Sequence, residues 1–452
     1  MYLSFAGLRS RSKPGAEAAE PGSDAAKAKG AADSLLPAVR ATSARVSSVV
    51  IALGVVSMLT DISSEMTAAI LPLYITGVLG LSTVAYGFID GLYQGVSAVV
   101  RVAAGYAADR GDRPKWVAFF GYGIAAIARV GLLFANGFAS LTAVIVVDRL
   151  GKGVRTAPRD ALITASAEPS NLGRSFGVHR MLDTIGAAIG PLLAATVLWI
   201  IPNGYSTIFI ISLAFAVLGV IVLGILVPDK RPRRERAAAV DDSARPSPFR
   251  WRHLAGPRLR RVLIVAGLFG LITVGDGFIF LVLQSRSQFA AEWFPLLYVG
   301  TNIAFIAFAV PLGRLSDRVG SARVFVLGHL ALLATYVLAA IPDTGAAATI
   351  GCLVLLGLFY AATDGILAAL AARATPLEAR ASGIASAQTV VAVTRLIAST
   401  GFGLLWFAIG RVEALTVVAV LLAIEIPVAA WMLLGRRGST ADSEPASVER
   451  GA

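Results

Sequence analysis

The chain has 452 residues, of which 56% are hydrophobic and only 15% charged, and its mean hydropathy is +0.74. Soluble domains carry about 25% charged residues, so this composition excludes a soluble globular protein and predicts a membrane protein with many spans. The single cysteine, Cys352, permits no internal disulfide. The net charge of +12 is compatible with nucleic-acid binding or with a membrane topology signal, and its distribution along the chain decides between them.

In chain order, residues 1–45 contain no apolar run, so we expect a disordered cytoplasmic tail without a cleavable signal. Twelve apolar segments follow, each long enough to cross a bilayer as a helix, with a polar stretch after the sixth. The segments lie at about 47–79, 83–107, 115–135, 138–165, 175–201, 206–227, 261–284, 291–313, 322–341, 346–373, 382–409 and 412–434. The pattern predicts an all-α polytopic membrane protein with 12 transmembrane helices. The expected divisions are a bundle over 46–227, a basic cytoplasmic linker over 228–258, a bundle over 259–436 and a tail over 437–452.

Lysine and arginine are distributed very unevenly between the two sides of these segments. Thirty of the 40 lie in the tails and in the five loops after even-numbered segments, whereas the loops on the other side hold only Arg286 and Arg411. The other eight lie inside segments. By the positive-inside rule, both termini are expected in the cytoplasm of a multi-pass protein of the plasma (inner) membrane. The excess positive charge therefore signals topology, and we exclude nucleic acid as a partner.

The two halves of the chain share a turn motif. The turn after segment 2 reads GYAADRGDRPK and the turn after segment 8 reads GRLSDRVGSAR. In each, a glycine would let a neighbouring helix approach, an aspartate would accept from a helix N-terminus, and arginines would pair with carboxylates at the cytoplasmic rim. We expect this arrangement to latch one closed state of each half. The residues concerned are Gly105, Asp109, Arg110, Arg113, Gly313, Asp317, Arg318 and Arg323.

The doubled motif, in a 6+6 chain with a basic central loop, resembles the signature of the major facilitator superfamily. The resemblance covers about residues 47–436. It implies two pseudo-symmetric six-helix bundles, each built of inverted three-helix repeats, with segments 1, 4, 7 and 10 lining a cavity that opens alternately to each side. We expect a monomer in the lipid bilayer.

Segment 5 contains a second family-like motif, GAAIGPLLAA, with Gly186, Gly190 and Pro191. It resembles the pattern of antiporters that exchange drugs or metabolites for protons, although Ala194 and Ala195 replace the final glycine pair. A bent helix with small residues for packing alone is the other interpretation.

Charged residues within the membrane are costly, and they mark a pathway when they face protein or water. In segment 4, DRLGKGVRTAPRD resembles a family pattern with an arginine followed by small residues. Asp61 and Glu65 in segment 1 share a helical face. Counted in residues from the ends of their segments, Asp61 and Arg149 lie at a comparable depth in the membrane. An Asp61–Arg149 pair is therefore predicted at the cavity centre, with a purely structural pair as the alternative. The predicted substrate- or proton-binding cations of segment 4 are Arg149, Lys152 and Arg155.

In the second half, Asp276 and Asp364 are isolated acids on cavity segments, and Tyr360 shares a face with Asp364. A buried acid without a partner suits a group that loads and releases protons. Pairing with Arg395 or with a cation of segment 4 is the alternative. Near the start of segment 5, His179, Arg180 and Asp183 are expected to relay protons or to close a gate. The remaining charges, Asp90, Arg101, Arg129 and Glu425, are expected to form interhelical pairs, Glu425 being the least explained.

Other chemistry is not indicated. Residues 150–156 do not satisfy the phosphate-loop pattern, and three scattered histidines with one cysteine make no metal site. We therefore predict no enzyme, no cofactor and no metal, but a secondary transporter that exports a drug-like compound or metabolite by alternating access, driven by protons. The alternatives are proton-coupled uptake of an organic anion, and a transport-dead sensor or scaffold on the same fold.

Overall fold

In the computed structural model, the chain is a bundle of long helices. The structure describes residues 46–108, 113–168, 171–229, 256–287, 289–341, 345–376 and 379–435, apart from the side chains at 97–99, 101–108 and 381. No strand occurs in these ranges. The helices are α1 (Ser48–Leu73), α2 (Thr83–Ala108), α3 (Pro114–Phe134), α4 (Phe138–Ser166), α5 (Leu172–Ile200), α6 (Tyr205–Leu226), α7a (Pro257–Ile272), α7b (Asp276–Ser287), α8 (Phe294–Val319), α9 (Ser321–Ala340), α10 (Gly345–Arg373), α11 (Arg380–Ile409) and α12 (Arg411–Leu434).

These helices correspond to the twelve predicted segments, so the predicted fold class is confirmed. A π-helical turn, Tyr74–Val78, extends α1, and a 3₁₀ turn, Ala291–Trp293, precedes α8. Segment 7 was predicted as one continuous span, but it is interrupted at residues 273–275. The backbone N–H of Val274 is satisfied there by the hydroxyl oxygen of Tyr336, at 2.8 Å, which lets the helix break inside the bundle.

Local sequence explains several helix ends. Proline occupies the first turn of α3 and α7a, where its missing N–H costs no helical hydrogen bond. Gly320, between α8 and α9, has a φ of 98°, and Gly410, between α11 and α12, has a φ of 94°. Such backbone conformations favour glycine, which explains how adjacent helices reverse direction over one residue.

Within the described residues, ten stretches are long and apolar enough to cross a membrane by length and composition. The two helices outside this set are α2 and α4; α4 carries six charged residues between Asp148 and Asp160. Large apolar side chains also face outward from the bundle, as expected for a surface covered by lipid. Examples are Phe120, Phe134, Trp199, Ile225 and Trp431, which are 66–76% exposed.

Helix packing follows the same scheme in both halves of the chain. In the first half, α1 packs on α5 and α6, α3 on α4 and α6, and α2 on α4. In the second half, α7a packs on α11 and α12, α9 on α10 and α12, and α8 on α10. The halves meet mainly through α2 against α11 and α5 against α8, which again correspond to each other. This repeated pattern is what two related bundles joined by pseudo-symmetry would produce.

Candidate functional site

The first half of the chain places two acids of α1 opposite the cations of α4. Asp61 pairs with Arg155, with 3.7 Å between the carboxylate and the guanidinium, and the Arg155 guanidinium also lies over the ring of Tyr122. The side chains of Glu65 and Lys152 make no hydrogen bond or ion pair with any described residue, yet the charge of Lys152 acts on both Glu65 and Asp61. Both side chains are only partly buried. The site therefore combines one fixed ion pair with an adjacent acid and amine that are held near each other without a direct bond.

The predicted Asp61–Arg149 pair is wrong. The guanidinium of Arg149 bonds to Asp148, with 2.8 Å from its Nε, and stacks on the ring of Tyr93 at 3.6 Å. Helix α4 ends at Ser166. At about 1.5 Å per residue, Arg149 lies about 26 Å from that end, whereas Arg155 lies about 17 Å from it. Asp61 lies about 20 Å from the start of α1, so its depth matches Arg155 better.

Asp148 forms the centre of a second, more deeply buried cluster. Besides Arg149, it pairs with Arg129 of α3 at 3.0 Å, and all three side chains are 2–3% exposed. Arg129 also donates from its Nε to the hydroxyl of Ser63 on α1, at 3.2 Å. This confirms the expectation that Arg129 forms an interhelical pair. The cluster ties α1, α3 and α4 together and leaves Arg149 unavailable to Asp61.

The polar residues at the start of α5 do not form the predicted histidine relay. The Nε2 of His179 lies 3.5 Å from the hydroxyl of Ser57 and not against Asp183. Asp183 instead pairs with Arg180 at 3.3 Å and lies 4.0 Å from Arg159. Because Arg159 also donates to Ser57, at 3.2 Å, these residues join α1, α4 and α5 in one polar contact. That arrangement agrees with the alternative role, a contact that forms or breaks with a gate.

The glycines of the segment 5 motif hold α5 tightly against α1, directly behind the two acids. A Cβ at Gly186 would lie 2.9 Å from the Cα of Met58, and one at Gly190 would lie 2.7 Å from the backbone nitrogen of Met66 and 3.0 Å from the Cβ of Glu65. The close packing proposed for this motif is therefore present. It also determines where Glu65 sits.

We expect Gly190→Ala to lower the free energy of unfolding by about 1–3 kcal/mol, because the new methyl group overlaps the backbone of α1. The measurement is the thermal unfolding midpoint of the purified protein in detergent. Gly177→Ala on the same helix is the matched control, since a Cβ there meets no atom within 4 Å. That control should be neutral or slightly stabilising, because alanine favours helix. Equal destabilisation by the two substitutions would contradict the close contact.

In the second half of the chain, Asp276 is not isolated as predicted. It begins α7b and accepts a hydrogen bond of 2.6 Å from the hydroxyl of Tyr360 on α10. Asp364, one turn beyond Tyr360, is exposed to a cavity and makes no bond to a described side chain. The break in segment 7 explains the first contact, because it frees Asp276 to turn towards α10. Glu425 departs from the expected interhelical pair: it is 7% exposed, and neither carboxylate oxygen has a hydrogen-bond partner among the described residues.

Asp90 lies at the boundary between the two halves. It accepts a hydrogen bond of 2.7 Å from Ser399 of α11, and nearby Thr83 donates to the carbonyl oxygen of Gly403, at 3.0 Å. Both contacts lie near the start of α2 at Thr83. Asp90 therefore joins the two halves and does not support one bundle alone.

An aromatic layer strengthens this junction. The ring of Phe278 on α7b contacts Tyr86 of α2, with centroids 4.7 Å apart, and Phe402 of α11, at 4.9 Å. Trp406 extends the layer, at 5.7 Å from Phe278. The layer packs α2, α7b and α11 together at this junction.

A cavity of about 240 Å³ lies mainly within the second half of the chain, and Gln94 of α2 is the one lining residue from the first half. Its polar lining includes Asp364 and Arg395, together with four uncharged residues that the sequence analysis did not select. These four are Gln94, Thr273, Thr363 and Gln388. Glutamines inside apolar segments were the available signal, because polar side chains between transmembrane helices usually have a partner or a role.

The comparisons with known proteins agree with this architecture. A family model described as Major Facilitator Superfamily matches residues 53–399. The chain belongs to the major facilitator superfamily. An uncharacterised MFS-type transporter of Methanocaldococcus jannaschii is 29% identical over 366 residues, which cover 78% of this chain and 87% of that protein. An uncharacterised protein of Mycobacterium tuberculosis is 28% identical over 349 residues, which cover 74% and 81%.

Solved structures of superfamily transporters share the fold at low sequence identity. The nucleoside transporter NupG superposes with a TM-score of 0.70 at 15% identity, over 85% of this chain and 99% of that one. A bacterial homolog of the human lysosomal transporter Spinster, in an inward-facing and occupied conformation, gives 0.69 at 16%, over 87% and 98%. These structures show the fold, and the family match identifies the chain as a membrane transport protein, which is a class distinct from enzymes.

The turn motifs of this superfamily member are only partly described. Asp109 and Arg110 lie outside the described residues, as do the surroundings of Gly105; Arg113 is exposed at the start of α3. In the second motif, a Cβ at Gly313 would meet no atom within 4 Å, so the expected close approach of a helix is absent there.

The charged residues of the second turn motif also differ from the prediction. Asp317 accepts from Arg373 of α10, at 3.5 Å, not from a helix N-terminus. Arg323 donates to the carbonyl oxygen of Val319, at 3.4 Å, and Arg318 is exposed. The Asp317–Arg373 contact is the ion pair of this motif that joins separate helices among the described residues, and both of its side chains are more than half exposed, so any latch here is weak.

Proposed function

We propose that this superfamily member is a proton-coupled exporter of a small organic substrate. The observation that carries the proposal is the group formed by Glu65, Asp61 and Lys152 on α1 and α4. The side chain of Glu65 has no fixed partner among the described residues. The charge of Lys152 attracts it, and Gly190 of the segment 5 motif packs against its Cβ. An acid in that position gains or loses a proton without first breaking a bond to another side chain.

The transport cycle follows from this arrangement. A proton that reaches Glu65 from the side opposite the termini would remove the carboxylate charge that faces Lys152. The weakened attraction between α1 and α4 would change the packing within the first half and so favour the state that is open to the other side. Release of the proton to the cytoplasm would restore the charge as substrate binds. The proton and the substrate thus stabilise different conformational states of the transporter, which is the requirement for coupling their transport.

Uptake of an organic anion is less well supported by the same geometry. That alternative needs cations of α4 that are free to bind a carboxylate or phosphate. Arg155 is paired with Asp61, and Arg159 with Asp160 at 3.0 Å, so Lys152 alone of these three lacks a direct partner among the described residues.

We expect Glu65→Gln to uncouple transport without abolishing exchange. A gradient of about one pH unit is worth about 1.4 kcal/mol per proton, or about tenfold accumulation of substrate. In proteoliposomes, the wild type should show this accumulation for a compound found by counterflow screening. The variant should retain counterflow but lose accumulation.

Glu168→Gln, an exposed acid beyond α4, is the control and should behave as wild type. Undiminished accumulation by Glu65→Gln would refute the assigned role of Glu65. Flux of the wild type that is unaffected by a pH gradient of either sign, in sodium-free liposomes, would refute proton coupling.

The proposed location is the plasma (inner) membrane with both termini in the cytoplasm, which rests on the distribution of lysine and arginine. Ser243→Cys in the linker should react with an impermeant maleimide only after cells are permeabilised. The native Cys352 is fully buried and should give little background. Labelling at position 243 from outside intact cells would reverse the proposed orientation.

A further inference from the structure

The cavity in the second half presents one acid and one base to the same space. Of the residues that line its 240 Å³, Asp364 on α10 is the one carboxylic acid and Arg395 on α11 is the one arginine or lysine. Their charges act on each other. Neither forms an ion pair or a side-chain hydrogen bond with any described residue. The buried Nε of Arg395 has no hydrogen-bond partner.

The neighbouring acids do not supply the missing partner. Asp276 and Asp90 line a smaller adjacent pocket of about 20 Å³, with room for about one water. There, Asp276 accepts from Tyr360 and Asp90 accepts from Ser399. Arg395 borders both spaces, but it forms no ion pair with either acid. The larger cavity therefore retains two opposite charges that a ligand can satisfy.

One part of the remaining cavity wall is aromatic. Phe269 stacks on the ring of His329, with centroids 3.6 Å apart, and Phe359 meets the same ring edge-on at 5.4 Å. The Nδ1 of His329 lies 2.8 Å from the carbonyl oxygen of Phe325, so this histidine is held in the wall. Flat apolar surfaces of this kind favour a ligand with an aromatic ring.

We propose that the substrate of this transporter is a small aromatic zwitterion, with its ammonium group on Asp364 and its carboxylate on Arg395. The inference rests on the proposed export function and narrows its substrate. A purely cationic or purely anionic ligand would leave one buried charge without a counter-ion, which is costly. The cavity is also smaller than the roughly 300–1,000 Å³ typical of sites for drug-sized ligands, so a compound of the size of an aromatic amino acid fits better.

Three ligands with the same aromatic side chain separate these possibilities: L-phenylalanine, its amide and its N-acetyl derivative. The amide keeps only the cation and the acetyl compound keeps only the anion. Titration calorimetry on the full-length protein in detergent, without any pH gradient, should show phenylalanine binding at least tenfold more tightly than either derivative. Tryptophan and its two derivatives should follow the same order. If neither amino acid binds more tightly than its derivatives, the proposal is wrong.

Two variants should change this selectivity in opposite directions, which a general folding defect would not do. Asp364→Asn should remove the preference for phenylalanine over the N-acetyl compound, because the ammonium no longer has its partner. Arg395→Gln should remove the preference over the amide. Glu413→Gln, at the exposed start of α12, is the control and should leave all three affinities unchanged. Equal loss of all ligands in both variants would contradict the assigned contacts.

A failure of the zwitterion proposal can be distinguished from a failure of the proposed proton-coupled export. Tight binding of the zwitterion without proton-driven flux in liposomes would support the binding site and refute proton-coupled export. Proton-driven flux of another compound, with no selectivity for the zwitterion, would support export and refute this substrate class.

Discussion

Asp148→Asn is expected to destabilise the protein by at least about 3–5 kcal/mol, the usual cost of removing one partner from a buried ion pair. Asp148 lies between the guanidinium groups of Arg129 and Arg149, and all three side chains are almost completely buried. Without the carboxylate, Arg129 would keep only its bond to Ser63, and Arg149 only its contact with the ring of Tyr93. Thermal unfolding in detergent, followed by circular dichroism, measures the loss.

Asp160→Asn provides the matched control on the same helix. The Asp160 side chain is 44% exposed and pairs with the adjacent Arg159. Exposed ion pairs contribute only about 0–1 kcal/mol, so its unfolding temperature should change little. Similar decreases in unfolding temperature for both variants would show that burial does not determine how much these acids contribute to stability. A stable but inactive Asp148→Asn protein would mean that the cluster acts in transport and not in folding.

The second large effect is expected from Asp61 and Arg155, which we expect to be energetically coupled. Asp61→Asn and Arg155→Gln should each lower stability and abolish transport, because each leaves an uncompensated charge between α1 and α4. The double variant should recover stability, since no lone charge remains, but stay inactive if the pair contributes to gating. The coupling energy from the double-mutant cycle should exceed about 1 kcal/mol.

A parallel cycle with Arg149 tests the structural assignment. Because Arg149 belongs to the Asp148 cluster, Asp61→Asn and Arg149→Gln should be additive within about 0.5 kcal/mol. Stronger coupling of Asp61 to Arg149 than to Arg155 would restore the pairing expected from the sequence and reject the one in the structure.

The sequence by itself determined the number and approximate extent of the membrane-spanning segments, but not the break at residues 273–275. Segment 4, predicted over 138–165, is the helix Phe138–Ser166, and segment 10, predicted over 346–373, is Gly345–Arg373. This succeeds because the length of an apolar run is a local property that must match the bilayer thickness. The same locality explains why the intramembrane charges and the two sets of six segments were recognisable. The close packing at Gly186 and Gly190 was expected instead from the resemblance of the motif to a family pattern.

Only the tertiary structure decided which charges meet. Helical periodicity tells which side chains share a face, but it does not give the axial shift or rotation between two helices. A shift of six residues, about 9 Å, separates Arg149 from Arg155 and changed the partner of Asp61. Asp90 and Ser399 are 309 positions apart, and their contact depends on how the two halves pack together.

The contacts of the charged residues in the second half of the chain also depended on the tertiary structure, for the same reason. The break at residues 273–275 is stabilised by the hydroxyl of Tyr336, 62 positions away from Val274, and it turns Asp276 towards Tyr360. Asp364 and Arg395 were visible as charges in apolar segments. That both face one cavity follows from the packing of α10 and α11 around a gap, because non-local packing sets the space between helices and local pattern does not.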